Sequence, residues 1–104
     1  EIIMQLTLLG TGLPFINPHR CGPSYLVRAG EVYIMIDCGS GAMRRLHEAG
    51  ARPSDVNYMF VTHLHMDHYI DLGHFIMMRW IYRNDEPLHL YGPQGLQKMV
   101  DQLL

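Results

Sequence analysis

The chain has 104 residues, 48% hydrophobic and 17% charged, with a formal net charge of −2 when its histidines are neutral. Those proportions exclude a disordered or collagen-like chain and predict one globular domain over residues 1–104 with one modest core. The charge excludes a bulk attraction to nucleic-acid backbone, so a polyanionic partner would have to be met by a local basic patch or by metal.

No apolar run reaches the roughly 20 residues that span a bilayer. Asp71, Gly73, His74 and Arg79 interrupt the most apolar part, so no membrane role is expected. Cys21 and Cys38 lack the CxxC spacing of a metal or redox motif. Two free thiols and a cytoplasmic, reducing location are the corresponding expectations.

Residues 2–10, IIMQLTLLG, read as a buried strand ended by glycine. Gly12, Pro14, Asn17, Pro18, Gly22 and Pro23 then predict a long loop, of the kind that often carries function. SYLVRA and VYIMID flank Gly30 as the two strands of a hairpin, with Asp37 at the end of the second. In AMRRLHEAG the small and apolar residues Ala42, Met43, Leu46 and Ala49 recur at helical spacing, and Gly50 stops that helix. Pro53, Ser54 and Asp55 turn the chain into the strand VNYMFVT. A helix apolar on most sides is predicted over residues 69–82, to be deeply buried or to meet a partner. PLHLYG reads as a strand, and Gly92 and Pro93 open a last helix whose Leu96, Met99, Val100 and Leu103 share one face. Strand, hairpin, helix, strand, helix, strand, helix is the order of a layered α/β fold.

The strand VNYMFVT delivers the densest chemistry. Residues 61–70, VTHLHMDHYI, hold three of the seven histidines. His63, His65, Asp67 and His68 spell HxHxDH. Imidazole and carboxylate donors without thiolate suit zinc, and also manganese or iron. Alternate loop residues can point to one side, so His63 and His65 could reach one ion, and Asp67 and His68 a second. Two ions about 3.5–4 Å apart lower the pKa of a shared water and steady a developing oxyanion, which is hydrolase chemistry. The competing readings are coincidental loop histidines or a purely structural zinc site. Asp37 either hydrogen-bonds a ligand histidine from outside the metal shell or caps the turn at Gly39 and Ser40. His74 is read as structural, His19, His47 and His89 as surface or packing histidines, and the methionines of the apolar helix as core. The GTG at residues 10–12 is read as a tight turn, since neither a helix start nor a GK[ST] follows.

With HLHMDH after a strand, DCGSG after the hairpin and LLGTGLP at the end of the first strand, the chain resembles the metallo-β-lactamase-fold hydrolases. It is most similar to the branch of ribonuclease Z and its phosphodiesterase-like and arylsulfatase-like relatives. The resemblance implies an αββα sandwich of which these residues supply about the first half. It implies His63 and His65 at a first metal, Asp67 and His68 at a second, and Asp37 as the supporting aspartate. Asp67 would also be catalytic, as proton shuttle. The implied cofactor is a pair of divalent ions, zinc foremost. The implied partner is an anionic ester, with tRNA among the candidates, and a homodimer is compatible with it. Arg44, Arg45, Arg79 and Arg83 are available for a basic patch. The same fold also serves aryl sulfates, lactones and small esters. A reading from another class is a metal-binding or assembly module without turnover. Three further ligands, a histidine, a bridging aspartate and a histidine, are expected beyond these residues, so the segment alone is expected to be an inactive part of a longer enzyme.

Overall fold

In the computed structural model, which describes residues 3–82 and 85–103, the elements follow as β1 (Met4–Gly10), β2 (Ser24–Ala29), β3 (Val32–Ile36), α1 (Ala42–Glu48), β4 (Val56–Phe60), α2 (Leu72–Ile81), β5 (His89–Tyr91) and α3 (Leu96–Leu103). The strands form one sheet in the order β1-β2-β3-β4-β5. β1, β2 and β3 pair antiparallel, whereas β3–β4 and β4–β5 are parallel. Helices α1 and α2 are the crossovers that parallel neighbours require. The hairpin between β2 and β3 turns through Gly30, whose φ of 60° lies in the left-handed region that glycine enters without steric cost.

Strand alternation divides the sheet into two faces. Thr7, Leu26, Met35, Met59 and Leu90 lie in register across all five strands. Against this row the helices lay Ala42, Met43 and Leu46 from α1, Leu72 and Phe75 from α2, and Leu96 from α3. Each large side chain buried there contributes roughly 1.5–3 kcal/mol. Leu8, Tyr25, Ile36, Phe60 and Tyr91 form a neighbouring row on the opposite face, as do Leu6, Val27, Ile34, Tyr58 and His89. Phe60 stacks on Tyr91 and Tyr58 on His89, with ring centroids 4.9 and 5.0 Å apart. That face is apolar yet half open to solvent, with Leu6 64% and Leu8 59% exposed.

Three expectations need correction. The first strand was expected to be buried, but Met4 to Leu8 are exposed and only Leu9 and Gly10 are covered. β1 is an edge strand with β2 as its one neighbour, and strand alternation puts Met4, Leu6 and Leu8 on the face away from the helices while Leu9 joins the core. The apolar helix begins at Leu72 rather than Tyr69, because Met66–His68 form a single 3-10 turn and Leu72 N–H still donates to Tyr69 O in that tighter pattern. Its far side is open, with Trp80 79% exposed.

Arg79 is no part of a basic patch. It is buried, and its guanidinium donates to Pro53 O, Val56 O, Asn57 Oδ1 and Glu86 O. Burial lowers its pKa from the usual arginine value. The cation thus joins α2 to the turn before β4 and to the segment after α2. Arg79→Met is expected to cost on the order of 3 kcal/mol in urea unfolding, because it leaves buried carbonyls without their donor. A loss under about 0.5 kcal/mol would remove this tie from the account. Arg83 lies outside the described residues.

Candidate metal centre

β4 ends at Phe60, and Val61 N–H turns to Tyr91 O at 2.8 Å. The chain then runs irregularly to His65 and tightens into the 3-10 turn of Met66–His68. This path gathers the histidines. The rings of His63 and His68 have centroids 3.8 Å apart, and those of His63 and His65 are edge to face at 4.7 Å. Asp67 Oδ2 lies 3.5 Å from His68 Nε2. His65 is exposed, while His63, Asp67 and His68 are half-buried. Among the described residues, no three of His, Cys, Asp or Glu are grouped to hold one metal ion. The contacts instead run as a chain, from His65 to His63, from His63 to His68 and from His68 to Asp67, with His63 and His68 the closest ring pair.

Asp37 arrives from the end of β3 and is the one non-glycine residue with positive φ among the described residues, at 60°. Aspartate tolerates this conformation better than most side chains. The turn aims its carboxylate at the cluster and away from Gly39 and Ser40. Thr62 N–H donates to Oδ1 at 2.8 Å, and Thr62 Oγ1 lies 2.8 Å and His68 Nδ1 2.7 Å from Oδ2. The backbone fastens the same place. Asp37 N–H donates to Phe60 O, Cys38 N–H to His68 O and Asp71 N–H to Cys38 O, at 2.7, 2.7 and 3.0 Å. Ser24 Oγ donates to Asp37 O at 2.9 Å from within the core.

Glycines make this crossing of loops possible. A Cβ on Gly10 would sit 1.9 Å from Gly22 O, and one on Gly39 would sit 2.6 Å from Gly22 C and 2.8 Å from Asp67 O. The GTG is therefore a place of close backbone approach. Gly12 N–H donates to Cys21 O at 2.8 Å, and Gly22 N–H to Ser40 O at 2.9 Å.

Beside the cluster opens a cleft of about 570 Å³ between the long loop, the start of α1 and residues 66–70. Asp67 reaches it from the cluster, Arg20 and Arg44 bring cations, and Phe15 and Ile16 bring exposed apolar surface. Arg44 and Arg45 both pair with Glu48, at 3.2 and 3.1 Å. Cys21 and Cys38 are free thiols. Burial, with Asp71 and Asp37 beside it, pushes the Cys38 thiol well above its usual range and so keeps it protonated and inert.

The remaining histidines sit apart from the cluster. His74 is exposed on α2 with Nδ1 3.5 Å from Asp71, His89 stacks on Tyr58, and His19 and His47 are at the surface. Two residues that the pattern of the sequence does not single out matter here. Thr62 joins Asp37 to the cluster, and the available signal was its place directly before His63. Asp71 Oδ2 accepts Met43 N–H at 2.9 Å, supplying an anion at the start of α1, where Gly41 offers no side-chain cap. The missing local cap was the available signal for such a distant partner.

The profile of one family, described as anti-Pycsar protein Apyc1, matches residues 4–104. Ribonuclease Z of Mycobacterium sp. strain KMS is 39% identical over 104 residues, covering 98% of this chain and 36% of that protein. The crystal structure of human tRNase Z, short form, superposes with a TM-score of 0.87 at 27% identity, over 96% of this chain and 39% of the other. The metallo-β-lactamase fold protein YhfI from Bacillus subtilis superposes with a TM-score of 0.82 at 22% identity, over 97% and 41%, and speaks for the fold alone. The chain thus spans little more than a third of the curated relative's length, 36%. It belongs to the family of anti-Pycsar protein Apyc1, and its α/β architecture is that of metallo-β-lactamase-fold proteins of the ribonuclease Z kind.

Proposed function

We propose that the protein is a metal-dependent hydrolase of phosphodiester bonds and that these residues contribute one side of its dinuclear centre. The observation that carries this reading is the Asp37 carboxylate holding His68 Nδ1 at 2.7 Å while the rings of His63 and His65 pack beside it. A histidine fixed through one nitrogen by a carboxylate presents the other nitrogen as a ligand. The donor set fits divalent ions, zinc first and manganese or iron next, because imidazole and carboxylate are borderline ligands. With His63 and His65 assigned to one ion and Asp67 and His68 to the other, each ion takes two ligands from this segment, and the remaining ligands would come from residues outside these 104.

When bound, the metal pair supplies a water acidic enough to attack at neutral pH and positive charge against the pentacovalent phosphoryl transition state. The chain's own groups have separate tasks. Asp67 stands between the cluster and the cleft, where its carboxylate can take a proton from the attacking water and pass it to the leaving oxygen. Arg20 and Arg44 line the cleft and can receive a phosphodiester oxygen. The half-open apolar sheet face has the form of the inner face of a sandwich, which supports a second sheet layer supplied by further chain. Ribonuclease Z and tRNase Z among the similar proteins make tRNA the substrate to try first.

The test is turnover of bis(p-nitrophenyl) phosphate by the full chain loaded with zinc or manganese, beside p-nitrophenyl sulfate. Phosphodiester cleavage that His65→Ala abolishes is the expected result. Preference for the sulfate would move the substrate to aryl sulfates, and turnover unchanged in His65→Ala would defeat the metal-hydrolase reading.

A further inference from the structure

We propose that Thr62 is a positioning residue that, together with Asp37, fixes the ring tautomers of His63 and His68 so that both present Nε2 to the metal. The proposal rests on the metal-site reading above, but its geometry stands in the protein alone. Thr62 Oγ1 lies 3.1 and 2.8 Å from the two oxygens of Asp37 and 3.0 Å from His63 Nδ1. A hydroxyl has one proton and two lone pairs, whereas a carboxylate only accepts. The Thr62 proton is therefore committed to Asp37, and the contact to His63 forms only if His63 Nδ1 is the donor. Asp37 Oδ2 accepts from His68 Nδ1 at 2.7 Å by the same rule. Both imidazoles then carry hydrogen on Nδ1, and both Nε2 lone pairs are left for a ligand.

Rigidity comes from the backbone. Thr62 N–H donates to Asp37 Oδ1 at 2.8 Å, so one residue meets the carboxylate through both its amide and its hydroxyl. Asp37 is 2% exposed, and its left-handed backbone places the carboxylate under the histidines. The order of the chain makes the device compact, because Thr62 adjoins His63 and needs no further element to reach it. Removing the hydroxyl would free the His63 ring to exchange tautomers, and part of the population would present N–H where a lone pair is needed.

Long-range ¹H–¹⁵N spectra of the metal-free full chain read the tautomers directly, and competition with a chromophoric chelator reads zinc affinity. In the wild type, His63 and His68 are expected to show the Nδ1–H pattern. Thr62→Val should shift His63 toward a mixture or to Nε2–H and weaken zinc binding about 10–100-fold. Thr62→Ser should restore both readouts, which a merely structural loss of the threonine methyl would not do. Nε2–H at His63 in the wild type overturns the proposal without any variant, and so does Thr62→Val with Nδ1–H intact and affinity within twofold. A wild-type chain with both Nδ1–H tautomers that binds no zinc would defeat the metal-hydrolase reading while upholding the role of Thr62 in setting the rings.

Discussion

Asp67→Ala is expected to lower kcat on bis(p-nitrophenyl) phosphate by about 10²–10⁴-fold, the span associated with losing a positioned general acid–base group. Asp67 is half-buried at the junction of cluster and cleft, 3.5 Å from His68 Nε2, and it bears on no part of the core. Its removal should therefore spare the fold, with a change in unfolding free energy within about 1 kcal/mol. Asp67→Asn keeps the shape and one acceptor oxygen but cannot take up the proton, so its kcat should fall nearly as far. Metal content measured on both variants separates the two duties proposed for this carboxylate. A fall in kcat at full metal occupancy marks proton transfer, and a fall that tracks metal loss marks ligation. Either variant retaining wild-type kcat would remove Asp67 from the mechanism.

Asp37→Ala is expected to be the most damaging single change to stability near the site, by about 2–4 kcal/mol in denaturant unfolding. It removes the shared acceptor of the Thr62 amide, the Thr62 hydroxyl and His68 Nδ1–H, three part-buried hydrogen bonds to a charged group that are worth roughly 1.5–3 kcal/mol each before solvent at the exposed Thr62 takes back a share. It also puts alanine at a φ of 60°, which aspartate and asparagine tolerate better. Asp37→Asn should fall between wild type and Asp37→Ala. Its oxygen can keep the Thr62 amide, but its NH₂ meets the His68 donor. Equal stability of the two variants would show that the oxygen asparagine keeps for the Thr62 amide and its tolerance of the left-handed backbone both count for little at this position. An Asp37→Ala loss below about 0.5 kcal/mol would separate the carboxylate from the integrity of the site.

The two predictions concern neighbouring carboxylates with different consequences, and burial is the reason. Asp67 faces the cleft, so water can replace its partners, and its loss is read in turnover. Asp37 is enclosed and is the shared acceptor of three hydrogen bonds, so its loss is read in stability as well. The same logic covers Arg79. Its charge invited a place in a surface patch, but its carbonyl acceptors from Pro53, Val56 and Glu86 make it a tie within the fold.

The order of strands and helices was legible in the residues because periodicity and punctuation are local. Gly30 between two alternating runs specified the hairpin, Leu96, Met99 and Val100 marked one helix face, and HxHxDH directly after a β-run located the cluster. The exposure of β1 was not legible, since hydrophobic content is a property of the strand while coverage depends on what packs against it. Met4, Leu6 and Leu8 have the composition of a core strand, yet they stand at the sheet's edge on the face away from the helices. The start of α2 at Leu72 was decided by the same kind of competition, in which Tyr69–Asp71 continue as turn from the one that presents His68, with Tyr69 N–H on Met66 O and Leu72 N–H on Tyr69 O.

By itself the sequence determined the donors available at the site and the element that carries them, because residue type and spacing along one strand end are written in the chain. Only the tertiary structure decided that Asp37, 31 positions before His68, would hold it, that Thr62 would link both to His63, and that Asp71 would serve α1 from 28 positions away. Those contacts form where separate loops cross at the ends of β3 and β4. That meeting depends on strand order, on a parallel pairing and on backbones that approach where Gly10, Gly22 and Gly39 carry no side chain.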